Sequence, residues 1–239
     1  APGLQFKIQL APVLLGGFLL VGGFIANDIL RSSYAGPSGD AMARAALSEW
    51  KANPTLEIAA TDPLAFGPER ADAKLTLIEF ADFRCIHCKM AVPPMKAFLA
   101  SHPDTRLEFY AWPLDGECNT SIQQNNGASC LLARIVWCAR SKASKGWEAH
   151  SHVFDRFEEW RTSDAVRSAI PSIATHLAVD IATLQQCADS DEAKTAVSKQ
   201  AQLGSSLNLR GTPTVFANGK LLPAGTQIPV LNEVHRSVR

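Results

Sequence analysis

An apolar segment that runs directly into a Cys-x-x-Cys motif constrains the fold of this chain more than any other feature. Residues 75–83 are mostly aliphatic or aromatic, a composition typical of a strand covered on both faces. The motif, Cys85-Ile86-His87-Cys88, follows, and apolar residues then recur at helical spacing over 90–99. The pattern predicts a strand, a turn and a helix. Its first cysteine would lie at the helix N-terminus, where unpaired N–H groups and the helix dipole favour the reactive thiolate.

Zinc binding is the competing interpretation of the motif, because Cys-x-x-Cys also serves as half of many zinc sites. The other half is not evident, since the sequence has no second Cys-x-x-Cys or Cys/His pair at ligand spacing. The pattern therefore favours redox chemistry. A metal-delivery or binding module that uses Cys85 and Cys88 as soft ligands stays open, and metal analysis of the purified protein would separate the two.

A second motif, Gly211-Thr212-Pro213-Thr214, lies near the other end of the chain. Val215 and Phe216 after it are predicted to form a strand, and the following Asn-Gly pair is a strong hairpin signal. A proline at the first position of a buried strand can be an ordinary trans proline.

The two motifs together resemble those of DsbA-like thiol–disulfide oxidoreductases, whose active-site motif is Cys-Pro-His-Cys. Ile86 replaces the proline here, and His87 keeps the histidine. Helices are predicted between the motifs over 128–140, 147–160, 163–177, 181–188 and 191–207. The resemblance covers residues 63–239 and implies an α/β thioredoxin fold with a helical subdomain inserted at about 114–210.

The resemblance implies roles for the residues of both motifs. Cys85 and Cys88 form the redox pair. We expect His87 to stabilise the Cys85 thiolate, because a nearby cationic imidazole lowers the pKa of a thiol, and a solvated helix residue is the alternative interpretation. The Thr212–Pro213 peptide bond is cis and faces the cysteines. Because Pro213 has no N–H, the Thr212 backbone is free to pair with a substrate strand. Both residues are therefore expected to bind substrate.

Glu79 lies in the middle of the predicted apolar strand, where a carboxylate is costly unless it has a partner or a task. One interpretation is an ion pair with Lys96 or Lys74. The other, implied by a glutamate at the same offset in DsbA-like proteins, is a buried proton acceptor near Cys88.

Four further cysteines follow the active-site helix. The segment Pro-Leu-Asp-x-x-Cys-Asn around Cys118, followed by Cys130 and Cys138, resembles DsbA-like domains fused to vitamin K epoxide reductase-type membrane proteins. Cys130 and Cys138 are too far apart along one helix to bond each other. We expect a structural Cys118–Cys130 disulfide, with Cys118–Cys138 as the alternative. Cys187, on an apolar helix face, is interpreted as a small buried hydrophobic residue.

The N-terminus is strongly apolar. Residues 8–27 contain no charged side chain and have about the length of one bilayer span. We expect a transmembrane or signal-anchor helix within 1–31 and a linker with one short helix over 32–62. A cleaved signal peptide, with a small-residue site at 33–35, is the alternative, and a buried helix is a third interpretation.

The implied function is donation of the Cys85–Cys88 disulfide to reduced, unfolded or secreted proteins. A disulfide isomerase or reductase is the alternative, although the strand-rich N-terminal domain usual in such isomerases is not predicted. By resemblance, a quinone-linked membrane oxidoreductase like vitamin K epoxide reductase reoxidises the pair, and neither a cofactor nor a metal is implied.

Composition and cysteine count bear on location and partners. The chain has 23 basic and 23 acidic residues, so nothing indicates nucleic-acid binding. Six cysteines behind a hydrophobic N-terminus suit an oxidising compartment. We expect the domain at a bacterial cell membrane, facing the periplasm or the exterior, or alternatively free in the periplasm after signal cleavage.

Overall fold

A computed structural model describes residues 39–59, 61–125 and 127–238, so the membrane segment expected within 1–31 lies outside the described residues. The described part contains a five-stranded mixed sheet in the order β1-β3-β2-β4-β5. Its strands are β1 (Leu64–Phe66), β2 (Leu75–Ala81), β3 (Thr105–Ala111), β4 (Thr214–Ala217) and β5 (Lys220–Leu221). Strands β2 and β3 are parallel, and the remaining pairs are antiparallel.

Helices cover this sheet and fill the long connection between β3 and β4. They are α1 (Gly39–Ala52), α2 (Ile86–Ser101), α3 (Ala128–Ala143), α4 (Gly146–Asp155), α5 (Ser163–Leu177), α6 (Ile181–Asp189), α7 (Asp191–Ser206) and α8 (Ile228–Ser237). The five consecutive helices α3 to α7 confirm the inserted helical subdomain. None of the helices in the described ranges is long and apolar enough to cross a membrane.

The central strand β2 is apolar because both of its faces are covered. Six of its seven residues are buried. On one face the ring of Phe80 stacks on that of Tyr110, with centroids 5.3 Å apart. Beyond the strand, Phe83 packs against Phe109 and Phe154 from the opposite side. Aromatic packing on both sides holds the end of β2, and therefore the start of α2, in a fixed position.

Two predicted boundaries were wrong, for local reasons. The strand expected to reach residue 83 ends at Ala81, because the next residue turns the chain through hydrogen bonds described below. The helix expected over 147–160 ends at Asp155. After it, the carbonyl oxygens of Phe157 and Trp160 accept hydrogen bonds from the Arg84 guanidinium, so this segment follows the active-site turn and not the helix axis.

Two disulfides cross-link the helical region. Cys118 is bonded to Cys130, which is the pairing expected first. Cys138 is bonded to Cys187, so the interpretation of Cys187 as an unpaired hydrophobic residue was wrong. Helix α6 packs against α3 and brings the two Cα atoms to 5.9 Å, within the range that a disulfide spans.

Candidate active site

The turn after β2 places Cys85 at the N-terminus of α2. The Cys85 backbone N–H donates to the Asp82 carbonyl oxygen at 3.1 Å, and the Cys85 carbonyl oxygen accepts from the Lys89 N–H at 3.1 Å. The first turn of the helix carries no acidic side chain, and no side chain caps it. The N–H groups and the dipole of the helix are therefore left to act on the Cys85 sulfur.

The two sulfurs of the motif differ sharply in accessibility. Cys85 is half-buried, whereas Cys88 is only 1% exposed, and both are free thiols. The Cys85 Sγ donates to the Thr212 carbonyl oxygen at 3.4 Å. The Cys88 Sγ accepts a hydrogen bond from the Asp82 N–H at 3.5 Å. An incoming molecule can therefore reach Cys85 but not Cys88.

The same geometry separates the acidities of the two thiols. The pKa of Cys85 is lowered to about 5, chiefly by hydrogen bonding with the Cys88 thiol; burial opposes this effect. Thr212 and the backbone N–H groups of Cys88 and His87 lower it further. Burial, followed by the neighbouring Cys85, raises the pKa of Cys88 far above its ordinary value. At neutral pH the reduced pair is therefore a thiolate beside a thiol.

His87 contributes to this site through its backbone. Its side chain is exposed, and its N–H is one of the groups that lower the pKa of Cys85. The sequence had suggested the imidazole as the stabilising group, and that role stays a prediction.

The second motif lies against the first. The Thr212–Pro213 peptide bond is cis, which confirms the conformation implied by the resemblance. The contact between Cys85 and the Thr212 carbonyl joins residues 127 positions apart in the sequence. Strand β4 reaches this point because it pairs with β2, with Thr214 opposite Phe80. Both motifs thus border one site at the same end of the sheet.

Glu79 is 6% exposed, within β2 and opposite Phe109 on β3 and Val215 on β4. Burial raises its pKa to about 7, so its carboxyl group can exchange a proton near neutral pH. The ion-pair interpretation is not supported by the geometry. The Lys96 Nζ donates to the Ser151 hydroxyl at 2.8 Å instead.

Asp82 also belongs to the site, although it was not expected from the sequence, and it is 1% exposed. Its carboxylate accepts hydrogen bonds from the backbone N–H groups of Arg84 and Leu114 and from the Ser129 hydroxyl at 3.2 Å. Its own backbone groups bind both active-site cysteines, as described above. Asp82 therefore ties the turn to the β3–α3 connection. The available signal was a carboxylate placed between a buried strand and the motif.

Replacing Asp82 with alanine should loosen this turn. The substitution leaves two backbone N–H groups without their acceptor, and each such loss costs about 1–3 kcal/mol. Burial raises the pKa of Asp82, the hydrogen bonds oppose that shift, and the Cys85 charge raises it further. Removing the carboxylate should accordingly lower the pKa of Cys85. Denaturant unfolding and thiolate absorbance against pH measure the two effects. Exposed Asp72→Ala is the control, and identical behaviour of both variants would contradict the assignment.

The metal-binding alternative needs ligands besides the two active-site cysteines. Among the described residues, the group of three side chains that could share an ion consists of Asp115, Glu117 and Cys130. Its cysteine is in a disulfide, so it offers no thiolate. The geometry places no third ligand from the described ranges beside Cys85 and Cys88.

Comparison with known proteins gives a family match and several similar proteins. Residues 76–234 match the DSBA-like thioredoxin domain family. "Disulfide bond formation protein D" of Bacillus subtilis (strain 168) is 23% identical over an alignment of 159 positions, which covers 63% of this chain and 66% of that protein. "Na(+)/H(+) antiporter NhaA 3" of Salinispora tropica is 23% identical over 62% of this chain and 21% of its own length. The chain thus spans just under two thirds of the first curated relative and about a fifth of the second.

Solved structures agree on the fold. Oxidised BdbD from Bacillus subtilis superposes with a TM-score of 0.64 at 17% identity, over 77% of this chain and 96% of that structure. At this identity the likeness establishes the thioredoxin-like architecture and no more. Because the family match covers well over half of the sequence and includes both motifs, the chain belongs to the DSBA-like thioredoxin domain family.

Proposed function

We propose that the protein is a thiol–disulfide oxidoreductase that forms disulfide bonds in other proteins. The observation that carries this proposal is the pairing of an accessible, acidic Cys85 with a buried Cys88 that resists ionisation. A thiolate that is stable in the reduced form makes the corresponding disulfide a stronger oxidant. The arrangement therefore favours release of the disulfide to a substrate.

The first step is attack on the oxidised pair. A substrate thiolate attacks the Cys85 Sγ, because this is the accessible sulfur. The Cys85–Cys88 bond breaks, a mixed disulfide forms at Cys85, and Cys88 leaves with the electron pair. Because burial strongly disfavours a Cys88 thiolate, this sulfur takes up a proton. Glu79, with a pKa raised by burial to about 7, is the buried acid that we assign to supply it.

The second step releases the product. The second thiolate of the substrate attacks the substrate sulfur of the mixed disulfide, and Cys85 leaves as a thiolate. A thiol of low pKa leaves faster, so the acidity of Cys85 favours this step. The substrate loses two electrons and gains a disulfide. The pair ends as the dithiol that this structure contains.

Substrate binding is assigned to the surface around Cys85. The Thr212 carbonyl is 3.4 Å from the Cys85 Sγ, so a chain bonded to Cys85 passes beside Thr212 and Pro213 and can pair with this backbone. On α2, Ile86 is 45% and Met90 65% exposed. These apolar side chains suit unfolded proteins, which expose apolar side chains of their own.

Turnover requires an acceptor for the two electrons. We assign this role to a quinone-linked membrane oxidoreductase of the vitamin K epoxide reductase type, supported by the motif around Cys118. The Cys118–Cys130 and Cys138–Cys187 disulfides suit an oxidising compartment. We therefore place the domain in the periplasm or outside the cell, held by residues 1–31 or released after their cleavage.

Mixing the oxidised protein with a reduced, unfolded protein tests the proposal. The substrate should lose two thiols for each Cys85–Cys88 disulfide consumed, as counted by thiol titration and mass spectrometry. A variant with both cysteines changed to alanine is the control. An isomerase would instead act in its reduced form on a protein with incorrect disulfides. Activity confined to that second assay would contradict the oxidase proposal.

A further inference from the structure

A cavity of about 180 Å³ lies beneath the active-site helix. It is lined by Val92, Met95 and Leu99 of α2, by Leu107 of β3 and by Trp147 of α4. An engineered apolar cavity of similar volume binds benzene in another protein. The space therefore suits a ligand of one aromatic ring.

A single carboxyl group interrupts these apolar walls. Glu79 lines the cavity and is 6% exposed. No hydrogen bond or ion pair joins its carboxyl group to another residue of the described ranges, and burial is the cause of its raised pKa. A buried carboxyl group without a partner is costly. A polar group of a ligand in this space would satisfy it.

A second buried polar side chain lines the same space. His150 is 5% exposed, and its Nδ1 has no hydrogen-bond partner within the part of the chain that the structure describes. Burial lowers its pKa to about 3, so the ring is neutral. The His150 ring adds an aromatic surface and no charge.

The charges around the cavity select an uncharged ligand. Lys96 also lines the cavity, and its exposed ammonium group repels cations. Glu79 repels anions when it is ionised, and the apolar walls penalise any charge. A hydroxyl group suits Glu79 in both protonation states, because it donates to a carboxylate and accepts from a carboxylic acid.

We propose that this cavity is a binding site for phenols, meaning uncharged molecules with one aromatic ring and one hydroxyl group. The ring lies between α2 and Trp147, and the hydroxyl group hydrogen-bonds the Glu79 carboxyl group. The residues that line the cavity include neither Cys85 nor Cys88, so the site is distinct from the accessible sulfur. Binding is measured directly, so the proposal stands or falls independently of the proposed oxidation of substrates.

Titration of the reduced full chain with phenol, followed by calorimetry and by NMR of the Trp147 indole N–H, tests the site. Phenol should bind saturably at one site. It should bind at least tenfold more tightly than toluene, which has the same ring but no hydroxyl group. Glu79→Leu should remove this preference while toluene still binds. Failure of phenol to saturate, or equal affinity for phenol and toluene, would overturn the proposal.

Two filling variants locate the site. Val92→Phe should fill the cavity and weaken phenol binding at least tenfold, whereas Ala97→Phe, on the exposed side of α2, should leave it unchanged. If Val92→Phe does not fold, Ala100→Phe at the rim of the cavity serves the same purpose. Unchanged affinity in a folded filling variant would place phenol elsewhere and contradict the proposal.

Discussion

Changing Cys85 to serine should abolish disulfide transfer, with the rate falling by about a thousandfold or more, as for loss of a catalytic nucleophile. No other cysteine can replace it. Cys88 is buried, and the remaining four are held in disulfides. A serine hydroxyl forms no disulfide with a substrate. The assay is loss of thiols from a reduced, unfolded protein, and retained activity in Cys85→Ser would show that attack occurs at another sulfur.

Cys88→Ser should give a different result, because it keeps the attacking sulfur and removes the resolving one. The Cys85 thiolate of this variant attacks a disulfide of an oxidised substrate, forms a mixed disulfide and releases one substrate thiolate. Without Cys88 the mixed disulfide lasts. It should accumulate as a covalent complex on non-reducing gels. The double variant Cys85→Ser/Cys88→Ser should trap nothing, which identifies the sulfur that forms the bond.

The strand, turn and helix around Cys85 could be predicted from the sequence because neighbouring residues specify them. The apolar strand, the cysteine spacing and the helical period after it place Cys85 at a helix N-terminus, and the structure has it there. The opposing Thr212–Pro213 loop lies 127 residues from Cys85. It was expected only through resemblance, since no local pattern shows which loop a folded chain brings to a helix end.

Interactions set by packing could not be predicted. The Cys138–Cys187 disulfide joins residues 49 positions apart, and depends on how α6 lies against α3. Asp82 gave a local signal, but its three hydrogen-bond donors come from three separate segments.

Reduced protein should gain stability from Cys85 as the pH rises from 5 to 7. The folded state lowers the pKa of this thiol from 9.0 to about 5. A pKa that folding lowers stabilises the folded state fully at pH values above the pKa of the unfolded state. This stabilisation is lost as the pH falls through the pKa of the folded state. At pH 7, which is two units above the folded pKa of about 5, the stabilisation corresponds to about 2.7 kcal/mol. Partial exposure of the sulfur to solvent reduces this to roughly 2 kcal/mol.

The titration of Glu79 changes the stability with pH in the opposite direction. The pH profile of one protein therefore does not isolate the contribution of Cys85. Its folded pKa is raised from 4.5 to about 7, so its stabilisation is present below the unfolded value and is lost as the pH rises through 7. The comparison that isolates the thiol is wild type minus Cys85→Ser, both reduced and both unfolded with denaturant at each pH. Because Glu79 is common to both, its contribution largely cancels.

The difference between the two proteins should therefore grow by roughly 2 kcal/mol between pH 5 and pH 7. Thiolate absorbance of the same wild-type protein should show an apparent pKa near 5 in the folded state. A flat difference with an ordinary thiol pKa would mean that the reduced form gains nothing from ionisation. In that case the Cys85–Cys88 disulfide would have no particular tendency to be reduced by substrates, and the chemistry would favour an isomerase or a reductase over an oxidase.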